Sequence, residues 1–219
     1  PTGTVAILRP GQELCIDVYE LSPSPACPHH APQSIVQTTQ NVATAECTGE
    51  SVADARPWTY VTYHQAKLLC ARRGGRVPTP GEWFDAALGT SVDCQVAGRL
   101  RATGAGSDCR SAVGTYDMVG NAWEWVNAQV DHGDWAGRTL PRSGYVQTAD
   151  AAGVVLTTAA TASPVYGNDY AWTDPVPVAA MLRGGYFGSG SDAGIYAVHT
   201  GVTPSFASAA TGVRCVQER

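Results

Sequence analysis

The residues in this chain best equipped for chemistry are seven cysteines, Cys15, Cys27, Cys47, Cys70, Cys94, Cys109 and Cys215, and five histidines. Thiolates bind soft metals and attack disulfides, but zinc and redox sites space their cysteines closely, and no C-x-x-C pair occurs here. Cross-linking in an oxidising compartment is the chemistry this pattern supports. Pairing sequence neighbours, Cys27 with Cys47 and Cys94 with Cys109, closes loops of about 15 to 20 residues, each contributing about 3 kcal/mol by restricting the unfolded chain. The odd count leaves at least one thiol unpaired within the chain, and Cys15 is the candidate. His29-His30 could ligate a metal, yet between Pro28 and Pro32 in a polar loop it reads as solvated surface, as do His64 and Asp85. No G-x-S-x-G elbow, phosphate-binding glycine loop or H-E-x-x-H appears.

The elements that position these residues are α+β with much loop. Thr62 and Gln65 have the spacing of a capping box, and Tyr63, Ala66, Leu69 and Cys70 fall on one helical face that Gly74-Gly75 ends. Arg72, Arg73 and Arg76 read as cations complementing that helix end. Thr79, Pro80 and Glu82 open a second, shorter helix carrying Trp83, Phe84, Ala87 and Leu88, with Gly89 as terminator. Short strands are predicted at residues 5–8, 14–19, 122–126, 180–183, 195–199 and 212–216. In the strand motif W-E-W, alternation sets Trp123 and Trp125 on one face and Glu124 on the other, so Glu124 reads as a structural ion-pair or hydrogen-bond residue. Residues 22–56, 91–113 and 131–177 read as elaborate loops, which inside one domain need staples, metals or packed aromatics.

Length and charge bound the function. A chain of 219 residues that is 44% hydrophobic suits one domain, 1–219. The net charge is -5 and no basic run exceeds Arg72-Arg73, so nucleic acid is not expected as a partner. Apolar stretches are too short to span a bilayer, and Pro1 opens no signal-like region, so a soluble protein or the removal of a targeting segment is expected.

The stretch from Trp58 to Gly89 resembles the sulfatase-modifying-factor family, with its V-[ST]-[WY]-x-x-A helix followed by G-x-R-[LV]-P-T-x-x-E-W. Gly114 to Trp125 (GTYDMVGNAWEW), Leu182 to Gly185 and Gly212 to Cys215 are similar to its later blocks, and Cys15 to Glu20 to its N-terminal strand. The resemblance implies a C-type-lectin-like fold, with first and last strands paired and two helices flanking twisted antiparallel sheets. It also implies a Cys70–Cys215 disulfide and a structural calcium ion near Asn121 and Glu124; no other cofactor is expected. Formylglycine-generating enzymes hold copper(I) with two cysteines after R-G-G. Here Ser189 and Gly194 stand at those positions, so the chain is not expected to be an enzyme. A metal-dependent oxidase related to that enzyme is the alternative reading.

Residues 184–212 (GGYFGSGSDAGIYAVHTGVTPSFASAATG) resemble the variable region of diversity-generating-retroelement proteins. The template letters Gly190, Ala193-Gly194, Tyr196-Ala197, Pro204-Ser205, Gly212 and Arg214 are kept. Template asparagines are replaced by Tyr186, Gly188, Ser189, Asp192, His199, Gly201, Val202, Phe206, Ser208 and Ala210. Adenine-directed mutation of an asparagine codon cannot yield Gln, Lys, Glu, Met or Trp, and none occurs from Gly184 to Gly212. The resemblance implies a sequence-variable binding face for a protein or glycan ligand, displayed outside the cell or on a phage-like particle. Tyr and Phe would supply rigid contact area and Ser, Gly, Asp and His adaptable polar contacts.

Overall fold

A computed structural model describes residues 3–9, 12–94 and 96–218. Its N-terminal hairpin pairs β1 (Thr4–Arg9) with β2 (Gln12–Asp17). After β3 (Ser22–Pro23) come helix α1 (Ile35–Ala43), β4 (Gly49–Glu50), α2 (Tyr63–Arg72) and α3 (Pro80–Ala87). The strands β5 (Trp123–Asp131), β6 (Asp134–Trp135), β7 (Arg138–Thr139), β8 (Gly144–Ala149), β9 (Val155–Ala159) and β10 (Tyr170–Trp172) follow. The chain closes with β11 (Val178–Arg183), β12 (Val198–His199), β13 (Thr211–Gly212) and β14 (Val216–Glu218).

A large sheet runs β7-β6-β5-β11-β12-β10-β8-β9, with β13 added in parallel to β5. A small sheet, β1-β2-β14, joins the two ends of the chain, and β3 pairs with β4. Because β10 runs parallel to β12, the large sheet is mixed rather than antiparallel. The expected pair of flanking helices also becomes three.

The strand β5 is buried on both faces from Trp123 to Val126 and on one face beyond, and alternation sorts its side chains. Trp123 and Trp125 enter a core with Trp58, Leu69, Leu182 and Val213, and the Tyr63 hydroxyl of α2 donates to Asn127 on the same face at 2.9 Å. Val126, Ala128 and Val130 enter a second core with Trp83, Met118 and Val198. Both helices start as expected: Thr62 with Gln65 and Thr79 with Glu82 form complete capping boxes. The arginines that follow α2 do more than meet its dipole. Arg72 donates to the carbonyls of Val42, Thr44 and Cys47 at the end of α1, Arg73 pairs with Asp17, and Arg76 pairs with Glu82.

Two stretches expected as loops contain regular structure. In residues 22–56, Ser34 caps α1 by accepting the Gln37 N–H. The inward residues of this helix are Thr38 and Asn41, which bond to Thr59, Trp58 and His29, so the apolar stripe that normally betrays a helix is missing. Residues 131–177 form a β6–β7 turn and a β8–β9 hairpin, the latter closed where Asp150 accepts the N–H groups of Ala152 and Val154. Residues 91–113 have no helix or long strand among the described residues. The predicted strand at 195–199 shortens to β12, and that at 212–216 divides into β13 and β14.

All three disulfides form as expected: Cys27–Cys47, Cys94–Cys109 and Cys70–Cys215, with Cys15 a buried thiol. The Cys70–Cys215 bridge spans 145 residues and ties α2 to the C-terminal segment. Replacing both its cysteines by serine should lower unfolding free energy by about 4 to 5 kcal/mol, against about 3 kcal/mol for the Cys27/Cys47 pair; urea denaturation monitored by tryptophan fluorescence compares them.

Candidate ligand-binding face

The first constraint on the C-terminal region is a buried guanidinium. Arg214 donates from Nε and Nη2 to the two oxygens of Glu124 at 2.7 and 2.6 Å, and to the carbonyls of Asp17, Val18 and Tyr116. The Trp83 indole also donates to Glu124, at 2.6 Å. The ion-pair role read for Glu124 therefore holds, and its partner is the last arginine of the family block. Three buried carboxyls, Glu20, Asp117 and Glu124, gather around this single cation. Burial pushes Glu20 well above the usual carboxylate range and Asp117 up to about 6.

These contacts do not fit the calcium ion that the resemblance implied near Asn121 and Glu124. Calcium takes six or more oxygens. Both Glu124 oxygens face protein donors, Asn121 Oδ1 accepts the Arg101 N–H at 2.9 Å, and its amide donates to Glu20. Among the described residues, metal-type ligands converge at Cys94, Cys109 and Asp117, where the two sulfurs are joined to each other.

A second buried guanidinium organises residues 184–212. Arg183, at the end of β11, donates to the carbonyls of Ile195 and Ala197 on one side and of Ala152 and Gly153 on the other. Its plane lies 5.0 Å from the Trp83 ring, a cation–π contact. The backbone of the segment is thus bonded by a side chain outside it.

Of the ten substituted positions, Gly188 and Phe206 are exposed, Ala210 is buried and the other seven are half-buried. Tyr186, His199, Phe206, Ser208 and Ala210 line one shallow depression of about 380 Å³ with Trp123, Phe187 and Ala209. Gly201 and Val202 lie beside it, the Gly201 N–H donating to His199 and Val202 packing on the Trp125 core. Gly188, Ser189 and Asp192 fall on the neighbouring turn, where Asp192 accepts from the Tyr145 hydroxyl. The Ala210 carbonyl accepts the Trp123 N–H. Ser189 accepts the Tyr186 N–H.

The glycines separate into two kinds. A Cβ on Gly184 would approach the Met118 carbonyl to 2.6 Å, one on Gly185 would overlap Ala193, and one on Gly194 would overlap the Asp169 carboxylate. Gly184 and Gly185 also have positive φ, 91° and 87°. A Cβ on Gly188 or Gly201 would meet chiefly the side chain of Tyr186 or His199, which are themselves among the ten positions. Gly184, Gly185 and Gly194 are thus confined by fixed structure, whereas Gly188 and Gly201 are crowded chiefly by other residues of the ten.

Sequence reasoning missed the aromatic residues that extend this face. The β10 register places Tyr170 opposite Tyr145 and Trp172 opposite His199. Ring centroids then run from Tyr145 to Tyr170 at 5.1 Å, to Trp172 at 4.9 Å and to Trp123 at 5.3 Å. The Y-A-W alternation at Tyr170–Trp172 was the available signal, hidden in a segment rich in loop-forming residues.

Asp169, just before β10, is buried and pushed up to about 8, against the pull of the Tyr196 and Ala197 N–H groups and of Arg183. A raised carboxyl keeps its proton in the folded state where the unfolded chain has lost it, so stability falls as pH rises from the ordinary aspartate range to about 8. Asp117 acts in the same direction up to about 6. In Asp169→Asn the first contribution disappears; urea midpoints between about pH 5 and about pH 9 should fall less steeply than in the parent.

The family profile described as "Sulfatase-modifying factor enzyme 1-like domain" matches residues 93–219. The "Inactive C-alpha-formylglycine-generating enzyme 2" of Bos taurus is 30% identical over 121 residues, covering 43% of this chain and 40% of that protein. In fold, the chain is similar to the "Major Tropism Determinant M1 Variant", with TM-score 0.56, 20% identity, and coverage of 100% of this chain and 52% of that one. It is similar also to the "Major Tropism Determinant P3c Variant", with TM-score 0.53, 17% identity, and coverage of 99% and 55%. The chain therefore spans about half the length of these relatives or less. With its profile match over more than half of its residues, its mixed curled sheet and its stapled ends, the chain belongs to the sulfatase-modifying factor enzyme 1-like domain family and has a C-type-lectin-like fold.

Proposed function

We propose that this chain is a non-catalytic ligand-binding protein whose C-terminal face, residues 184–212, is diversified by a retroelement to recognise varied protein or glycan ligands. The observation that carries the reading is the division between kept and substituted positions. Of the kept letters, Ala193, Gly194, Ala197, Gly212 and Arg214 are buried, as are Gly184 and Gly185 of the preceding R-G-G, whereas Gly190, Tyr196 and Pro204 are half-buried and Ser205 is exposed. Five of the ten substituted residues share one open depression floored by aromatic rings. Change is thus concentrated where it alters a contact surface rather than a fold. The copper-binding cysteines of the enzyme branch are replaced by Ser189, turned to the Tyr186 N–H, and Gly194, covered by Asp169, which supports the absence of catalysis.

Three disulfides accord with display in an oxidising environment, outside the cell or on a phage-like particle. Among the described residues no helix is long and apolar enough to cross a membrane. Deep sequencing of the 3′ end of the gene across its natural population, with a search of flanking DNA for a near-copy template, tests the reading. Substitutions should cluster at the ten positions while Arg183, Gly184, Gly185 and Arg214 stay fixed. Variation spread evenly, or no template, would remove the diversified face.

A further inference from the structure

Residues 192 to 199 connect two substituted positions through Gly194, Ile195, Tyr196 and Ala197, and this connection has little regular structure to hold it. Its polar main-chain groups are instead met by two buried side chains from outside 184–212. From one side, Arg183 donates to the carbonyls of Ile195, at 2.6 Å, and Ala197, at 3.2 Å. From the other, Asp169 Oδ2 accepts the Tyr196 N–H at 2.7 Å, while the Ala197 N–H donates to the Gly194 carbonyl at 3.1 Å. The remaining Asp169 oxygen is buried, has no hydrogen-bond partner and lies against Gly194. Asp169 is itself held in place, its N–H donating to the Tyr166 carbonyl and its own carbonyl accepting the Val146 N–H.

We infer that Asp169 is a positioning residue for the binding face: with Arg183 it clamps the main chain of Gly194–Ala197, so that side chains at 192 and 199 can change while their Cα positions do not. The inference rests on reading 184–212 as the binding face. It assigns to the 131–177 insertion a second role besides adding strands, because the acceptor comes from that insertion and Arg183 also binds its Ala152 and Gly153 carbonyls. A hydrogen bond to the main chain restrains a backbone whatever side chains that backbone carries.

Amide hydrogen exchange resolved by residue tests the clamp without a ligand. In Asp169→Ala, exchange at Tyr196 should quicken by about tenfold or more while β5 amides such as Val126 keep their protection. Asp169→Asn keeps an acceptor oxygen and should restore protection to within about threefold of the parent. His199→Ala and Asp192→Ala should leave the Tyr196 amide unchanged. Unaltered protection in Asp169→Ala, or equal loss in His199→Ala, would overturn the clamp. Should Asp169→Ala fail to fold, Gly194→Ala serves instead: its Cβ displaces the carboxyl and should loosen the same amide, and intact protection there would equally overturn the clamp. An invariant natural sequence at the ten positions would remove the binding reading and leave the clamp standing, so the two failures are distinguishable.

Discussion

Arg214 and Glu124 meet at the point where both ends of the chain, the central strand and a helix converge. The guanidinium uses its donors on a carboxylate of β5 and on carbonyls of the N-terminal segment and of Tyr116, while Trp83 of α3 completes the same carboxylate. Breaking such a pair is costly because a charge is left buried, and here Glu20 and Asp117 would also lose their cation. The Cys70–Cys215 bridge, one residue further on, holds the C-terminal segment in that position covalently. Most of the chain outside the large sheet is irregular, so its backbone polar groups depend on side chains such as these rather than on ladder bonds.

Arg183 repeats the device beneath residues 184–212, the face proposed to bind ligand. A guanidinium bonded to main-chain carbonyls is indifferent to the side chains that those residues carry. This separates what must stay constant from what can vary: glycines pressed against fixed atoms and two arginines on one side, a depression bordered by substitutable residues on the other. The aromatic run from Tyr145 through Trp172 lies outside the substituted set and packs against Trp123, which lines the depression.

Much of this was legible in the sequence, for identifiable reasons. Capping boxes at Thr62 and Thr79 declare their helices locally, and W-E-W alternation sets Glu124 on the opposite face of β5 from Trp123 and Trp125. Sequence proximity suggested two disulfides and family resemblance the third. The α1 helix was hidden because its inward face is Thr38 and Asn41, held by hydrogen bonds rather than apolar packing. The β8–β9 hairpin was hidden because its Thr, Ala and Gly residues read as loop until a sheet partner exists. Asp169 could not have been singled out, since its importance lies in a contact with a backbone 27 residues away. The poor fit to calcium has a related reason: whether Glu124 faces a metal ion or an arginine is decided by tertiary placement.

The claim that holds the account together is that a fixed backbone carries a replaceable surface. A library randomised jointly at Tyr186, Gly188, Ser189, Asp192, His199, Gly201, Val202, Phe206, Ser208 and Ala210, displayed and challenged with protease, measures it most directly, with a control library randomised at Gly184, Gly185, Gly194 and Ala197. The account predicts that most members of the first library resist proteolysis like the parent and that few of the second do. Comparable losses in both would contradict it.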